Sequence, residues 1–342
     1  MSQPTPELPP HLPVIDLMMS TVLARALYAV TERGVPDLLA DGPRTTEELA
    51  GKVGVQPVPL LQVMRALAAQ GLFTQSDDGR FGLTPAGETL VSGHPTAARD
   101  LVVTFGGPAM WQALGAMKET VETGRTGFDL ALGMPFFDYL RRHPDLEATF
   151  NRTMIAVHGG EPAAVAEAYD FTGINRIVDV GGGLGTMLIT LLRRHPHLRG
   201  VLYDAPSVVE QATAGIGAAD LGDRCTGEGG DFFASVPAGG DAYILSHIIH
   251  DWDEAACQTI LRHCRSAMGP EGRVLIVEMV LPPGAEPHPG KVLDVIMLAV
   301  PGGRERTADE YRELLGGAGL RMVRVVPTAS PVSIVEAVAD GA

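Results

Sequence analysis

Cysteine is scarce in this 342-residue chain, and the three present, Cys225, Cys257 and Cys264, form no C-x-x-C pair. No disulfide framework is needed, and a reduced, cytoplasmic setting is expected. Basic residues are also few: 26 Lys and Arg face 41 Asp and Glu, for a formal net charge of -15. Such a field repels polyphosphate backbones and keeps a protein soluble, which argues against a nucleic-acid partner. No segment reads as apolar for long enough to span a membrane, so a membrane partner is not expected. The stretch from Ser2 to Pro13 is Pro-rich, without a basic n-region or a long apolar run, and does not read as a signal peptide. Internal repeats and long low-complexity segments are missing as well.

The length favours two domains, each with enough apolar content for a core. Residues 14 to about 40 carry Leu17, Val22, Leu23, Ala26, Leu27 and Val30 at helical spacing. Arg44 to Ala50 reads as a helix begun by Thr with acidic residues in its first turn, Gly51 to Gln56 as a turn, and Pro57 to Gln70 as a second helix. Gly71 to Thr74 and Arg80 to Thr84, separated by Asp77-Asp78-Gly79, read as a short hairpin. Helix, turn, helix and hairpin together spell a winged helix. A DNA-reading version needs a basic second helix, and Pro57 to Gln70 offers only Arg65. The apolar face of the first helices exceeds what so small a module covers by itself, so a homodimer is expected, built by residues 14 to 40 and partners between 98 and 125.

Residues 98 to 169 read as helical throughout. Most of their large apolar side chains belong to a core, but such a layer also suits the wall of an apolar pocket, with Trp111, Phe150 and Met154 as candidates to face a small-molecule substrate. From about Asn175 the pattern turns to short apolar runs, Arg176 to Val180, Gly200 to Tyr203, Asp241 to Leu245 and Arg273 to Val277, alternating with helical stretches. That alternation implies βαβ units and a parallel sheet. Late runs at Arg321 to Val326 and Val332 to Ala337 are expected to close its edge as an antiparallel pair. The expected division is 1–97, 98–169 and 170–342.

The clearest chemical signal is Ile177-Val178-Asp179-Val180-Gly181-Gly182-Gly183-Leu184-Gly185, a strand running into a Gly-rich turn and a helix. Its glycines allow close backbone approach to a ligand, and the helix that follows presents free N–H groups. The spacing is G-x-G-x-G with Thr186 next, which departs from the dinucleotide fingerprint. One βα unit later the run Val201-Leu202-Tyr203 ends in Asp204, placed as an acidic residue that accepts ribose hydroxyls. Together they point to an adenosyl ligand.

Here the sequence resembles the dimeric small-molecule O-methyltransferases of the caffeate and aromatic-polyketide type, over nearly the whole chain. The resemblance rests on Asp179 to Gly185, on Gly230-Asp231-Phe232-Phe233, on Leu245-Ser246-His247-Ile248-Ile249-His250-Asp251-Trp252, on Glu278 to Pro282 and on Pro301 to Thr307. It implies an α/β, Rossmann-like methyltransferase domain behind an N-terminal helical, winged-helix-like dimerisation domain, with S-adenosylmethionine as cofactor. Asp204 would be the ribose ligand and Asp231 and Phe232 would flank adenine. Asp179, Gly181 and Gly183 belong to the turn at the methionine moiety, and Ser246 stands beside the cofactor.

Methyl transfer to a phenol is an in-line displacement that also requires a proton to leave the acceptor. A histidine suits that task, and His250, after an apolar run, resembles the family's catalytic base. The resemblance further implies that two carboxylates, Glu278 and Glu305, orient the imidazole and stabilise its charge. Without it, Glu278 reads as a strand-end surface carboxylate and Glu305 as an ion-pair partner of Arg304 or Arg306. A metal site from His247 and His250 with His263 or Cys264 fits no common zinc spacing, and no metal is expected. One departure stands out: where the family commonly carries Asn before Pro-Gly-Gly, this chain has Val300, so Asp294 or Met297 is expected to shape a different substrate pocket. The expected activity is methylation of a phenol or enol of a bulky natural product. Two alternatives stay open: a cofactor-binding relative that catalyses hydroxylation or an electrocyclic reaction, and a metabolite-sensing DNA-binding regulator.

Overall fold

A computed structural model describes residues 9–341. The first eight residues, and with them most of the Pro-rich lead, lie outside the described residues. Two compact units emerge: the described residues up to Trp111 together with Leu140–Val157, and Gln112–Tyr139 together with the chain from His158 onward.

In the first unit, α1 (Leu12–Glu32) and α2 (Val35–Leu39) precede α3 (Thr46–Val53) and α4 (Pro57–Ala69). The hairpin β1 (Phe73–Gln75) and β2 (Phe81–Leu83) follows, then α5 (Pro85–Glu88) and α6 (Ala98–Gly106). Thr45 caps α3 in a reciprocal box with Glu48, at 3.2 and 2.8 Å. The helix runs through Gly51 to Val53 and stops at Gly54, whose φ of 70° is left-handed, so the turn expected from Gly51 begins three residues later. Phe73 pairs with Leu83 across the hairpin, and Arg44 bridges Phe81 as a third rung, completing the wing. Val30, Val35, Leu49, Met64, Leu67 and Phe81 fill the centre.

One expectation needs correcting here. Helix α1 spans 21 residues at a mean hydropathy of 1.5 with 11% of that stretch buried, so by length and composition it could cross a membrane. Val14, Ile15, Leu17, Met18, Met19 and Val22 lie exposed on it. Isolated polar residues such as Asp16 and Ser20 interrupt the run in the sequence but leave the helix apolar on average.

The helices expected as a layer from 98 to 169 are α6, α7 (Pro108–Gly115), α8 (Met117–Thr123), α9 (Gly127–Leu132), α10 (Phe136–Arg142), α11 (Pro144–Val157) and α12 (Glu161–Ala168). They are shared between the units. Helices α6 and α11 belong to the first, α8, α9 and α12 to the second, and α7 and α10 straddle the boundaries, so the expected limits at 97 and 169 fall inside units.

The second unit is built on strands β3 (Arg176–Val180), β4 (Arg199–Asp204), β5 (Cys225–Gly229), β6 (Ala242–Ser246) and β7 (Arg273–Glu278), with α13 (Thr186–Arg194), α14 (Pro206–Ala218) and α15 (Glu254–Ala267) as crossovers. Then come β8 (Val280–Leu281), α16 (Pro289–Ala299), β9 (Arg306–Thr307), α17 (Ala308–Gly317), β10 (Leu320–Pro327) and β11 (Ser333–Ala339). The sheet order is β10-β11-β7-β6-β3-β4-β5, parallel except for the two late strands. Strand β5 escapes the sequence reading because Cys-Thr-Gly-Glu-Gly lies at the sheet edge with only Cys225 buried, and carries no apolar run. Strands are added to one side of β3 through β4 and to the other through β6, so the chain reverses its order at β3. In open α/β sheets a crevice forms at that point, outside the C-terminal strand ends.

Candidate active site

Four strand ends on that edge build the first half of the site. After β3 the chain turns through Gly181, Gly183 and Gly185, with φ of 70°, 56° and 82°. A side chain at Gly182 is excluded sterically, because its Cβ would stand 2.7 Å from Asp179 Oδ2 and 2.5 Å from Leu202 Cδ1. Asp179 is 1% exposed and makes no hydrogen bond of ordinary geometry. Burial, with the charge of Asp204, raises its pKa to about 7. Its carboxyl group lies against Gly182. Asp204, ending β4, accepts the Gly183 N–H at 2.8 Å and the Ala205 N–H at 2.6 Å, and burial raises its pKa.

These residues fit an adenosyl ligand. Each Asp204 oxygen keeps a second lone pair for a hydroxyl, and an added Cβ at Gly183 would project into open space over the turn. Past β5, Asp231 accepts the Phe233 N–H at 2.9 Å, and the ring of Phe232 meets Phe233 and Trp252 edge-on at 4.8 and 6.0 Å. Ser246 ends β6, half-buried, opposite Val277. All the expected cofactor residues thus come from one unit and one end of its sheet.

His250 lies four residues past β6 in a 3₁₀ turn, Ile249–Asp251, and is buried. Its Nδ1 stands 2.6 Å from Glu305 Oε1. Glu278 Oε1 accepts the backbone N–H of His250 at 3.0 Å, and its Oε2 accepts the hydroxyl of Tyr311. The implied role of the two carboxylates therefore divides: Glu305 touches the ring, and Glu278 holds the main chain of the turn. Asp251 Oδ1 stands 3.7 Å from Nε2, outside hydrogen-bond range. Burial raises Glu305 to about 8, helped by the charge of Asp294, while burial lowers His250. Both shifts describe one dry pair that avoids separated charge.

The Pro-Gly-Gly segment explains how Glu305 gets there. A Cβ on Gly303 would lie 1.8 Å from the His250 carbonyl oxygen, so only glycine lets this loop pack on the turn. Neither surface reading of the carboxylates holds: Arg304 pairs with Glu254 and Glu310, and Arg306, fully buried, bonds the carbonyls of Ile249 and Arg304.

Among the expected substrate residues, Asp294 is committed to the framework, since its Oδ1 accepts the Glu305 N–H at 2.8 Å. Met297, on the same helix α16, is 9% exposed. Trp111, Phe150 and Met154 are half-buried in the first unit, with the Arg25 guanidinium 4.5 Å above the Trp111 ring. Val300 is buried and its N–H serves Ile296.

The sequence reading missed a second polar cluster. His247 adopts φ 55°, a strained left-handed conformation for a residue with a Cβ, and its Nε2 meets Glu161 Oε2 at 2.7 Å. His158 Nδ1 reaches the same carboxylate at 3.1 Å, and the rings of His158 and His247 lie 3.8 Å apart. His250 follows at 5.1 Å from His247. No spacing signal could have joined Glu161 to a histidine 86 positions away. Among the described residues, this cluster and His250, Glu278 and Glu305 are the two groups of three with ligand-capable atoms within 4.8 Å. A cation on His247 Nε2 would force the ring proton onto Nδ1, which is buried without an acceptor. The hydrogen-bonded form, with Nε2–H donated to Glu161, leaves on Nδ1 an unpaired lone pair instead of a buried unpaired N–H. His263 and Cys264 are engaged elsewhere, His263 Nδ1 at the Phe232 carbonyl and Cys264 as a buried thiol pushed up to about 12.

This cluster ties stability to acid. Burial lowers His247 from 6.5 to about 4, whereas for Glu161 the hydrogen bonds of His158 and His247 outweigh burial and bring it from 4.5 to about 2. In both cases the unfolded chain binds more protons, so stability falls as pH drops, through the His247 window from 6.5 to about 4 and the Glu161 window from 4.5 to about 2. Glu161→Gln is expected to flatten the lower window. Thermal midpoints recorded from pH 7 to 2 check this, and parallel curves for the two proteins would contradict it.

Comparison with known proteins gives a consistent picture. The O-methyltransferase domain matches residues 111–321, and the O-methyltransferase dimerisation domain matches residues 15–93, which include most of the exposed apolar face of α1. The chain is similar to phenazine O-methyltransferase PhzM of Lysobacter antibioticus, 42% identical over 324 residues and 95% of each protein. It is 38% identical over 331 residues to the O-demethylpuromycin-O-methyltransferase of Streptomyces alboniger, 95% of this chain and 88% of that one. Among solved structures, CalO1, a methyltransferase in calicheamicin biosynthesis in its SAH-bound form, superposes with a TM-score of 0.82 at 36% identity, over 97% of this chain and all of that one. With the glycine turn, Asp204 and His250 on one sheet edge and these matches along nearly its whole length, the chain belongs to the family of S-adenosylmethionine-dependent O-methyltransferases.

Proposed function

We propose that this enzyme methylates a phenolic or enolic hydroxyl of a bulky aromatic natural product, with His250 as the general base. The observation that carries the reading is the buried 2.6 Å contact between Nδ1 and Glu305, which fixes the ring and leaves Nε2 outside hydrogen-bond range of Asp251. A relative named for a phenazine supports an aromatic acceptor. Val300, buried where the family commonly has Asn, offers the acceptor no polar side chain, and Asp294 is engaged with Glu305, so recognition leans on apolar packing.

When bound, S-adenosylmethionine supplies an electrophilic methyl group on a sulfonium. Asp204 would hold its ribose, Asp231 and Phe232 its adenine, and Gly181 and Gly183 its methionine end, with Ser246 beside the cofactor. His250 takes the hydroxyl proton at Nε2. For that, the ring proton must sit on Nδ1 and Glu305 must be ionised, so that the carboxylate faces the imidazolium as it forms. Because burial raises Glu305 to about 8, the competent form of the pair accumulates as pH rises towards that value, and activity rises with it. Glu278 keeps the turn in place through the His250 N–H.

His250→Ala is expected to lower turnover by a factor of about 10² to 10⁴ with little change in cofactor affinity. Alkaline ionisation of a phenolic acceptor should restore part of that loss, and identification of the methylated product from candidate aromatic acceptors checks the activity itself. Wild-type turnover by the variant would remove the base assignment. Asp204→Ala should weaken S-adenosylhomocysteine binding by roughly 1.5–3 kcal/mol for each hydrogen bond lost to the charged acceptor. Calorimetry on the folded variant reads this directly, and an unchanged dissociation constant would sink the ribose role. The exposed face of α1 and the dimerisation match support a homodimer. Sedimentation as a monomer at micromolar concentration would count against it.

A further inference from the structure

Helix α17 starts from a fixed point. Thr307 and Glu310 form a capping box at its N-terminus, which sets the direction of the next residue, Tyr311. Tyr311 is fully buried, and its hydroxyl donates to Glu278 Oε2. The other oxygen, Oε1, takes the backbone N–H of His250 at 3.0 Å. A phenol and a main-chain amide thus grip one carboxylate from two sides, and no bond from Glu278 reaches the imidazole ring.

Burial raises the pKa of Glu278, so its anion depends on that grip. It is fully buried, and the like charge of Glu305 adds to burial in favouring the protonated acid. Against these stand His250, the Tyr311 hydroxyl and the His250 N–H. Removing the hydroxyl takes away one of two hydrogen bonds that favour the anion, in a setting where no solvent replaces it.

We propose that Tyr311 is a positioning residue for the reaction: it holds Glu278 ionised and correctly oriented, so that Glu278 both pins the 3₁₀ turn of His250 and lends its charge to the imidazolium formed there. The inference rests on His250 acting as the base. The other groups facing this centre are Glu305, with Asp294 behind it, Arg306 from β9, Asp251 on the turn itself, the Cys257 thiol from α15, and His247 with His158 and Glu161 on the opposite side. All of them remain in a Tyr311→Phe enzyme, so a change in its pH profile reports on Glu278.

Tyr311→Phe is expected to lower kcat about 10- to 100-fold, the scale of one hydrogen bond to a charged group. The acceptor KM and the dissociation constant for S-adenosylhomocysteine should stay within about twofold, because Tyr311 touches neither. The acid limb of the kcat/KM profile should move to higher pH, since Glu278, without the hydroxyl that favours its anion, loses its proton only at higher pH. In a Glu278→Gln background the same substitution should change neither kcat nor the limb, and this arm also decides the matter if Tyr311→Phe alone does not fold. A lower thermal midpoint with wild-type kcat and an unmoved limb would make Tyr311 a purely structural residue and overturn the proposal. So would an equal fall in kcat in the Glu278→Gln background, which would mean that Tyr311 acts by another route. Failure of the base reading shows separately, as wild-type turnover by His250→Ala.

Discussion

Parallel pairing of β3, β4, β5, β6 and β7 forces the C-terminal ends of these strands onto one edge of the sheet, and the whole site hangs from that edge. Gly181 follows β3, Asp204 ends β4, Ser246 ends β6 and Glu278 ends β7. The interior that makes the pairing obligatory is apolar on both faces, with Leu188, Leu191 and Ile216 on one side and Ile260, Leu261 and Leu314 on the other. A strand shifted by one residue would turn its buried set to the wrong layer and carry its terminal polar residue away from the cluster. Packing and chemistry are fixed by the same register.

The same edge concentrates charge where water is scarce. Glu278, Glu305 and His250 are all buried, and each carboxylate is committed to distinct partners: Glu305 to the Nδ1 side of the ring, Glu278 to the backbone of the turn and to Tyr311. Close packing is required for this arrangement, since Gly303 meets the His250 carbonyl with no room for a Cβ. Asp294 extends the network by holding the main chain at Glu305. A partly satisfied buried network would be worse than an apolar one, so the substitutions the site tolerates are set by hydrogen bonds as much as by volume.

On the other side of His250, the strained backbone of His247 is held by the link to Glu161. A left-handed non-glycine residue at the end of a central strand costs of order 1–3 kcal/mol. It persists because Glu161, at the start of α12, receives both His247 and His158 and is the anionic member of a line of three imidazoles. The result is a polar wall of hydrogen-bonded side chains beside His250.

Local pattern and ordered motifs made much of this legible in the sequence. The alternation of apolar runs and helices after Asn175, the glycine turn, Asp204 after its strand and the winged module with its Thr45 cap can all be read from neighbouring residues, because the hydrogen bonds and dihedral limits that create them are local. Among the candidate residues, His250 was legible from its place after an apolar run as well as from the resemblance to a family, but its link to Glu278 and Glu305 came from the resemblance alone, since nothing local joins residues 28 and 55 positions apart. Tertiary structure alone decided the rest. It gave Glu278 to the backbone and not to the ring, bound Asp294 to Glu305, assembled His158, Glu161 and His247, and divided the helices from 98 to 169 between two units. It also revealed β5, an edge strand with one buried side chain. In each case the partner is distant in the chain, and which oxygen meets which proton depends on packing that no single segment encodes.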